Sequence, residues 1–133
     1  MNFSQNILDF LREPNYMVFG TIGKSGYPQM TLVWFEFSNG VLRISTTTDR
    51  VKYKNVSRDP HVALVIYDRG NPYRYVQIRG MVSDVTKEGA HEFIDHLSGR
   101  YTGNAKYKAD PEWKEDRVII TVTPEQFSSV GFV

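Results

Sequence analysis

The sequence predicts a mainly β domain, an antiparallel barrel of about six strands with two or three helices inserted between them. Three observations predict it. β-Branched and aromatic residues recur in short runs bounded by turn residues, with 8 Tyr and 8 Phe in the chain. Asn39-Gly40 stands between two such runs and is a strong short hairpin signal. Only one stretch, over 87–101, has convincing helical periodicity, with Ala90, Phe93, Ile94, Leu97 and Tyr101 on a single stripe. At 133 residues the chain fits one domain spanning 1–133.

Taken in order, Ser4 can cap a short helix whose Ile7, Leu8 and Leu11 share a face, and Pro14 ends it. A strand is expected over 16–23, then a Lys24-Ser25-Gly26 turn, a second strand over 28–38 and, after Asn39-Gly40, a third over 41–47. Together they read as a three-strand meander. Asp49 is the expected cap of a helix over 50–58, stopped by Asp59-Pro60. An almost continuous apolar strand follows over 62–67, then a Gly70-Asn71-Pro72 loop. The strand over 73–85 alternates cleanly, Val76, Ile78, Gly80 and Val82 marking one face. Residues 102–115 are polar and carry no assignment. A last clear strand is expected over 117–123, with a short one over 127–132.

Composition removes several function classes. The chain has 0 cysteines, which excludes disulfides, thiolate zinc sites, iron–sulfur clusters and a cysteine nucleophile. A net charge of +1 argues against coating nucleic acid or an anionic membrane. The longest apolar run is strand-sized, so no membrane span is expected. The start Met1-Asn2-Phe3-Ser4-Gln5 lacks the features of a signal peptide, and the cytoplasm is the expected compartment. There is no nucleophile elbow, Walker loop or dinucleotide fingerprint. His91 and His96 lie five apart, roughly 140° around a helix, and cannot share a metal. Both read as solvated helix-surface residues, and His61 reads as structural.

Two features remain. In the second strand both faces are apolar: Thr31, Val33, Phe35 and Phe37 on one, Met30, Leu32 and Trp34 on the other. A strand facing water would alternate, so a second subunit, a planar ligand or both are expected to cover it. The other feature is the run from Ser45 to Asn55, where four hydroxyl residues at a strand end lead into a helix start carrying Arg50, Lys52 and Lys54. Hydroxyls, cations and helix N–H groups at one point suit an anion, above all a phosphate. By themselves the same residues also fit a solvated helix face after a β-prone strand. Trp34, one hairpin away, favours the phosphate reading, since an apolar platform beside a phosphate grip is what a phosphorylated aromatic cofactor needs.

The order of Gly-x-Pro before a strand, a hairpin, a hydroxyl-rich strand end and then Arg50, Lys52, Asn55 and Pro60 resembles the pyridoxamine 5'-phosphate oxidase-like family. Its members are flavin- and deazaflavin-binding split β-barrels. The similarity runs from the first helix to the strand over 117–122. Arg50-Val51-Lys52, Tyr101 before Gly103, and the ending over 117–125 resemble the small branch that uses FMN or the deazaflavin coenzyme F-420. The resemblance implies a six-stranded antiparallel split barrel of the FMN-binding type. It implies a homodimer with cofactor at the subunit interface. By position, it places Met30, Thr31, Leu32, Val33 and Trp34 against the cofactor ring, and Ser45, Thr46, Arg50 and Lys52 on its phosphate. Asn55 joins this set from the motif, and Tyr75 or Gln77 would reach the cofactor from a later strand. Val51 separates the two cations that are adjacent in the true oxidase, and the chain ends at Gly131-Phe132-Val133 without the oxidase's Trp- and Arg-containing substrate segment. Oxidation of pyridoxamine phosphate is therefore not the expected reaction.

The implied function is a flavin- or deazaflavin-dependent oxidoreductase that exchanges hydride with a small organic substrate. A non-catalytic flavin-binding module is the alternative. A barrel binding single-stranded nucleic acid by ring stacking is disfavoured by the near-neutral charge.

Overall fold

The expected second strand breaks at its most apolar point, and that break shapes the whole sheet. The computed structural model describes residues 1–108 and 116–132. The elements are α1 (Gln5–Leu11), β1 (Tyr16–Ile22), β2 (Pro28–Val33), β3 (Glu36–Ser38), β4 (Val41–Thr47), α2 (Val51–Arg58), β5 (His61–Tyr67), β6 (Tyr75–Thr86), α3 (Ala90–Thr102) and β7 (Arg117–Val130). Neighbouring strands pair antiparallel in one sheet of order β2-β1-β5-β6-β7-β4-β3. The meander is thus corrected: β2 pairs with β1, whereas β3 pairs with β4 at the far edge. With one expected strand split in two and the last two joined into one, seven strands stand among the described residues.

Only Trp34 and Phe35 separate β2 from β3. Six strand spacings of about 4.8 Å would put the edges of a flat sheet about 29 Å apart. A two-residue link reaches about 11 Å at most. The sheet must therefore curl until its edges nearly meet, which makes a split barrel.

Phe10, Met17, Phe19, Phe35, Leu42, Ile44, Leu64, Ile66, Ile78 and Ile120 fill the barrel and are fully buried. α1 buries Ile7, Phe10 and Leu11 in the core, while Leu8, expected on the same face as Ile7 and Leu11, is partly buried against it. Asn39 and Gly40 adopt φ of 53° and 78°, as a two-residue hairpin between twisted strands requires. Gly80 sits at a bulge against β7, where a Cβ would lie 2.4 Å from the Thr123 carbonyl oxygen, so no side chain fits. β7 runs as one long strand where two were expected. Bulges in its pairing with β6 bend it without ending it.

α3 packs its expected stripe outside the barrel against Ile119. Its C-terminal end is tied down by hydrogen bonds. The Tyr101 hydroxyl accepts from the Phe35 amide at 3.2 Å and donates to the Asn15 carbonyl at 2.6 Å. Burial pushes its pKa up. Arg100 donates to the carbonyls of Arg12 and Glu13, each at 2.8 Å, satisfying the free end of α1. His96 is not simply solvated: its Nε2 meets the Glu36 carboxylate, which also accepts from Arg43 at 2.6 Å. Burial alone would raise the Glu36 pKa, but hydrogen bonds from Arg43 and His96 outweigh it and hold it low.

Replacing Tyr101 by Phe leaves a buried amide and a carbonyl without their shared partner. Tyr101→Phe should cost about 1–3 kcal/mol in urea unfolding, whereas Tyr73→Phe, at a ring that is 81% exposed, should stay within about 0.5 kcal/mol of the parent.

Candidate functional site

Where β2 ends and the chain crosses to β3, a cleft of about 400 Å³ opens between the barrel and α3. This lies within the range of small-molecule sites. Leu32, Val33 and Trp34 form one side. Ser45, Thr46 and Thr47 at the end of β4 form another, continued by Arg50 and Lys52. Ile94 and Leu97 of α3 face them, with Tyr107, Arg117, Tyr16 and Tyr67 completing the wall. The Trp34 ring lies nearly parallel to Tyr101, with centroids 5.3 Å apart and planes 7° apart, and Tyr107 meets it edge-on. Backed by these two rings, Trp34 gives the cleft an apolar wall.

The opposite wall is cationic. Asp49 is not the cap expected at α2: the capping position is Arg50, with no side-chain cap bond. The Asp49 carboxylate is occupied elsewhere, accepting from the Thr47 hydroxyl at 2.5 Å. The capping residue thus offers no side-chain acceptor to the first N–H groups of α2. Lys52 stands in this first turn, the end of a helix that disfavours a cation. It is also almost buried, and among the described residues no carboxylate pairs with it. Burial, and then the charge of Arg50, lower its pKa. Burial likewise lowers that of Arg117, aided by Arg50 and opposed by Tyr107. An arrangement this unfavourable for the protein alone is what an anion would relieve.

Seven of the residues expected at the site meet here: Leu32, Val33, Trp34, Ser45, Thr46, Arg50 and Lys52. The others lie apart from this cleft. Met30 projects from the outer face of the sheet, where it is 61% exposed. The Thr31 hydroxyl is buried without a hydrogen bond. Asn55 is buried on the barrel side of α2, donating to Thr21 at 2.9 Å and accepting from Arg58. Tyr75 and Gln77 border outer grooves. Met30 and Thr31 stand earlier on β2 than Leu32 and Val33, and only the end of the strand lines the cleft. Sequence reasoning missed Arg117, Tyr107, Tyr16 and Tyr67. Arg117 reaches the site only because β7 pairs with β4 so that it lies opposite Thr47. No local motif carries that information. Ile94 and Leu97 were legible as an apolar stripe but not as a cleft wall.

No Asp, Glu or His lines the cleft among the described residues. Nor do any three such side chains there group to hold a metal ion, and no helix is long and apolar enough to cross a membrane.

Comparison with known proteins gives the family and the fold. The family model described as pyridoxamine 5'-phosphate oxidase matches residues 3–131. An F420 reductase of known structure is 38% identical, with a TM-score of 0.78 over 90% of this chain and 94% of that one. A conserved hypothetical protein from Mycobacterium tuberculosis is 24% identical, with a TM-score of 0.73 over 98% of this chain and 86% of that one. The haem storage protein from Vibrio cholerae shares the fold at 14% identity, with a TM-score of 0.70 over 99% and 97% of the two chains. No curated protein matches the sequence.

The cost of holding Lys52 charged gives a pH signature. Its folded pKa is lowered, so between that value and the unfolded 10.5 the unfolded chain holds the extra proton and stability rises with pH. Without ligand, Lys52→Met should be more stable than the parent at pH 7. That advantage should shrink as urea midpoints are measured toward pH 10.5; a constant difference would show that the Lys52 charge is not strained.

Proposed function

This chain belongs to the pyridoxamine 5'-phosphate oxidase family, and we propose that its cleft holds a flavin-type cofactor, FMN or the deazaflavin coenzyme F-420, for hydride exchange with a small organic substrate. One juxtaposition carries this reading: the almost buried Lys52 of α2 faces the same cleft as the Trp34 wall. A phosphate would neutralise the one while a flat ring covers the other. When bound, such a cofactor supplies the hydride chemistry. The chain's residues then have simpler tasks. Arg50, Lys52 and the β4 hydroxyls hold the phosphate. Leu32, Val33 and Trp34 orient the ring and keep water from it. The likeness to an F420 reductase supports the deazaflavin as the cofactor.

A second copy of the chain is part of this proposal. Met30 and Leu32 stay 61% and 64% exposed, beside an outer groove floored by Gly20 and Ala63. A homodimer would cover them. A module that holds the cofactor without turnover is the second reading. Reduction of bound cofactor coupled to loss of substrate separates the two.

Side-by-side titration with FMN and the deazaflavin tests the site. Arg50→Ala or Lys52→Ala should weaken FMN binding about tenfold to a hundredfold, as loss of a charge-assisted hydrogen bond does. Riboflavin should bind parent and variants alike, and Lys24→Ala should change nothing. Equal losses for FMN and riboflavin would mean that these cations shape the fold and hold no phosphate.

Assembly has its own test. Light scattering at low micromolar concentration should give twice the chain mass. Met30→Glu should weaken the dimer by about two orders of magnitude, since an unpaired buried charge costs several kcal/mol. A monomeric parent would remove the second copy from the proposal.

A further inference from the structure

The four hydroxyl residues at the end of β4 are not equivalent. The Thr47 proton is spent on Asp49 at 2.5 Å. Ser45 is engaged in the opposite sense: Arg117 Nη1 donates to its oxygen at 3.0 Å. A hydroxyl has one proton and two lone pairs. An arginine can only donate, so the Ser45 proton cannot point toward it. Among the described residues that proton has no acceptor. Ser45 and Arg117 both line the cleft.

Arg117 is itself fixed. It is buried at the first position of β7, opposite Thr47. Its guanidinium lies over the Tyr107 ring at 5.1 Å, and the Tyr107 amide donates to Asp95 of α3 at 2.8 Å. The donor to Ser45 is therefore held by two separate elements, the sheet and α3.

We propose that Arg117 is a positioning residue: by occupying a Ser45 lone pair it turns the Ser45 proton into the cleft, where the hydroxyl donates to an oxygen of the ligand's phosphate group. This rests on the reading that the cleft takes a phosphate-bearing cofactor. Burial, and then the charge of Arg50, disfavour the charged form of Lys52 in the free protein, so a phosphate here gains an oriented hydroxyl beside that cation.

The test is a double-mutant cycle on FMN and riboflavin affinity, read by flavin fluorescence, with Ser45→Ala, Arg117→Met and the double variant. Ser45→Ala should weaken FMN about tenfold and leave riboflavin unchanged. Ser45→Thr, which keeps the hydroxyl, should restore most of the loss. Arg117→Met should weaken FMN in the parent but have much less effect once Ser45 is Ala. Multiplying losses would overturn the proposal, because Arg117 would then act independently of Ser45. Equal losses for FMN and riboflavin would overturn it as well. If Arg117→Met fails to fold, Arg117→Lys gives the complementary reading: a lysine still donates to Ser45, so FMN affinity should be largely kept, and a loss as large as that of Ser45→Ala would overturn the proposal. Should the parent bind FMN no better than riboflavin, the cofactor reading fails first. Should it prefer FMN and lose that preference with Lys52→Ala but not with Ser45→Ala, only the Arg117 assignment fails.

Discussion

The structure depends on one phenol. Trp34 and Phe35 cross from one sheet edge to the other, and the Tyr101 hydroxyl grips this crossing at the Phe35 amide while holding the Asn15 carbonyl. A backbone amide at a strand break has no ladder partner, so it must find one elsewhere or lie buried and unsatisfied. Tyr101 supplies it from the last turn of α3. That bond sets where α3 lies, and α3 in turn supplies the Ile94 and Leu97 wall. The same ring stacks on Trp34. The crossing that closes the barrel and the wall of the cleft thus share one side chain.

Stability and binding draw on different parts of the molecule. The barrel interior is almost wholly apolar, and its charges sit in pairs outside it, such as Arg43 with Glu36 and Arg74 with Asp68. At the cleft the pattern reverses: Lys52 occupies the wrong end of a helix, and Arg117 is buried near another cation. Local rules are broken there and kept elsewhere, as happens where a protein is built to meet something else.

Much of the fold was legible because its signals are local. Asn39-Gly40, the α3 stripe and the alternation of β6 each sit within a few residues and appear as expected. The broken second strand was not legible, since Trp34 and Phe35 have strong strand propensity and only the need to cross between edges makes them leave the sheet. The β4 hydroxyls and the Arg50–Lys52 grip were visible as one contiguous run. Arg117 is 72 positions from its partner Ser45 and joins the site through strand register alone. Asn55 shows the converse: it lies within the motif, but on the face of α2 turned to the barrel, where it serves Thr21. Spacing along a helix decides which neighbours share a face, and a motif read as a string does not.

The strand order also governs when the domain can take shape. β1, β2, β5 and β6 are neighbours in the sheet and can assemble as they leave the ribosome. The β3–β4 hairpin cannot join them, because its sole route into the sheet runs through β7, the last strand described. While the chain is being made, that hairpin stays tethered by two residues yet laterally unpaired, and β6 presents an open edge. Such edges invite pairing with other chains. A newly made copy is therefore most vulnerable to aggregation before β7 emerges, and β7 acts as the closing stave of the barrel.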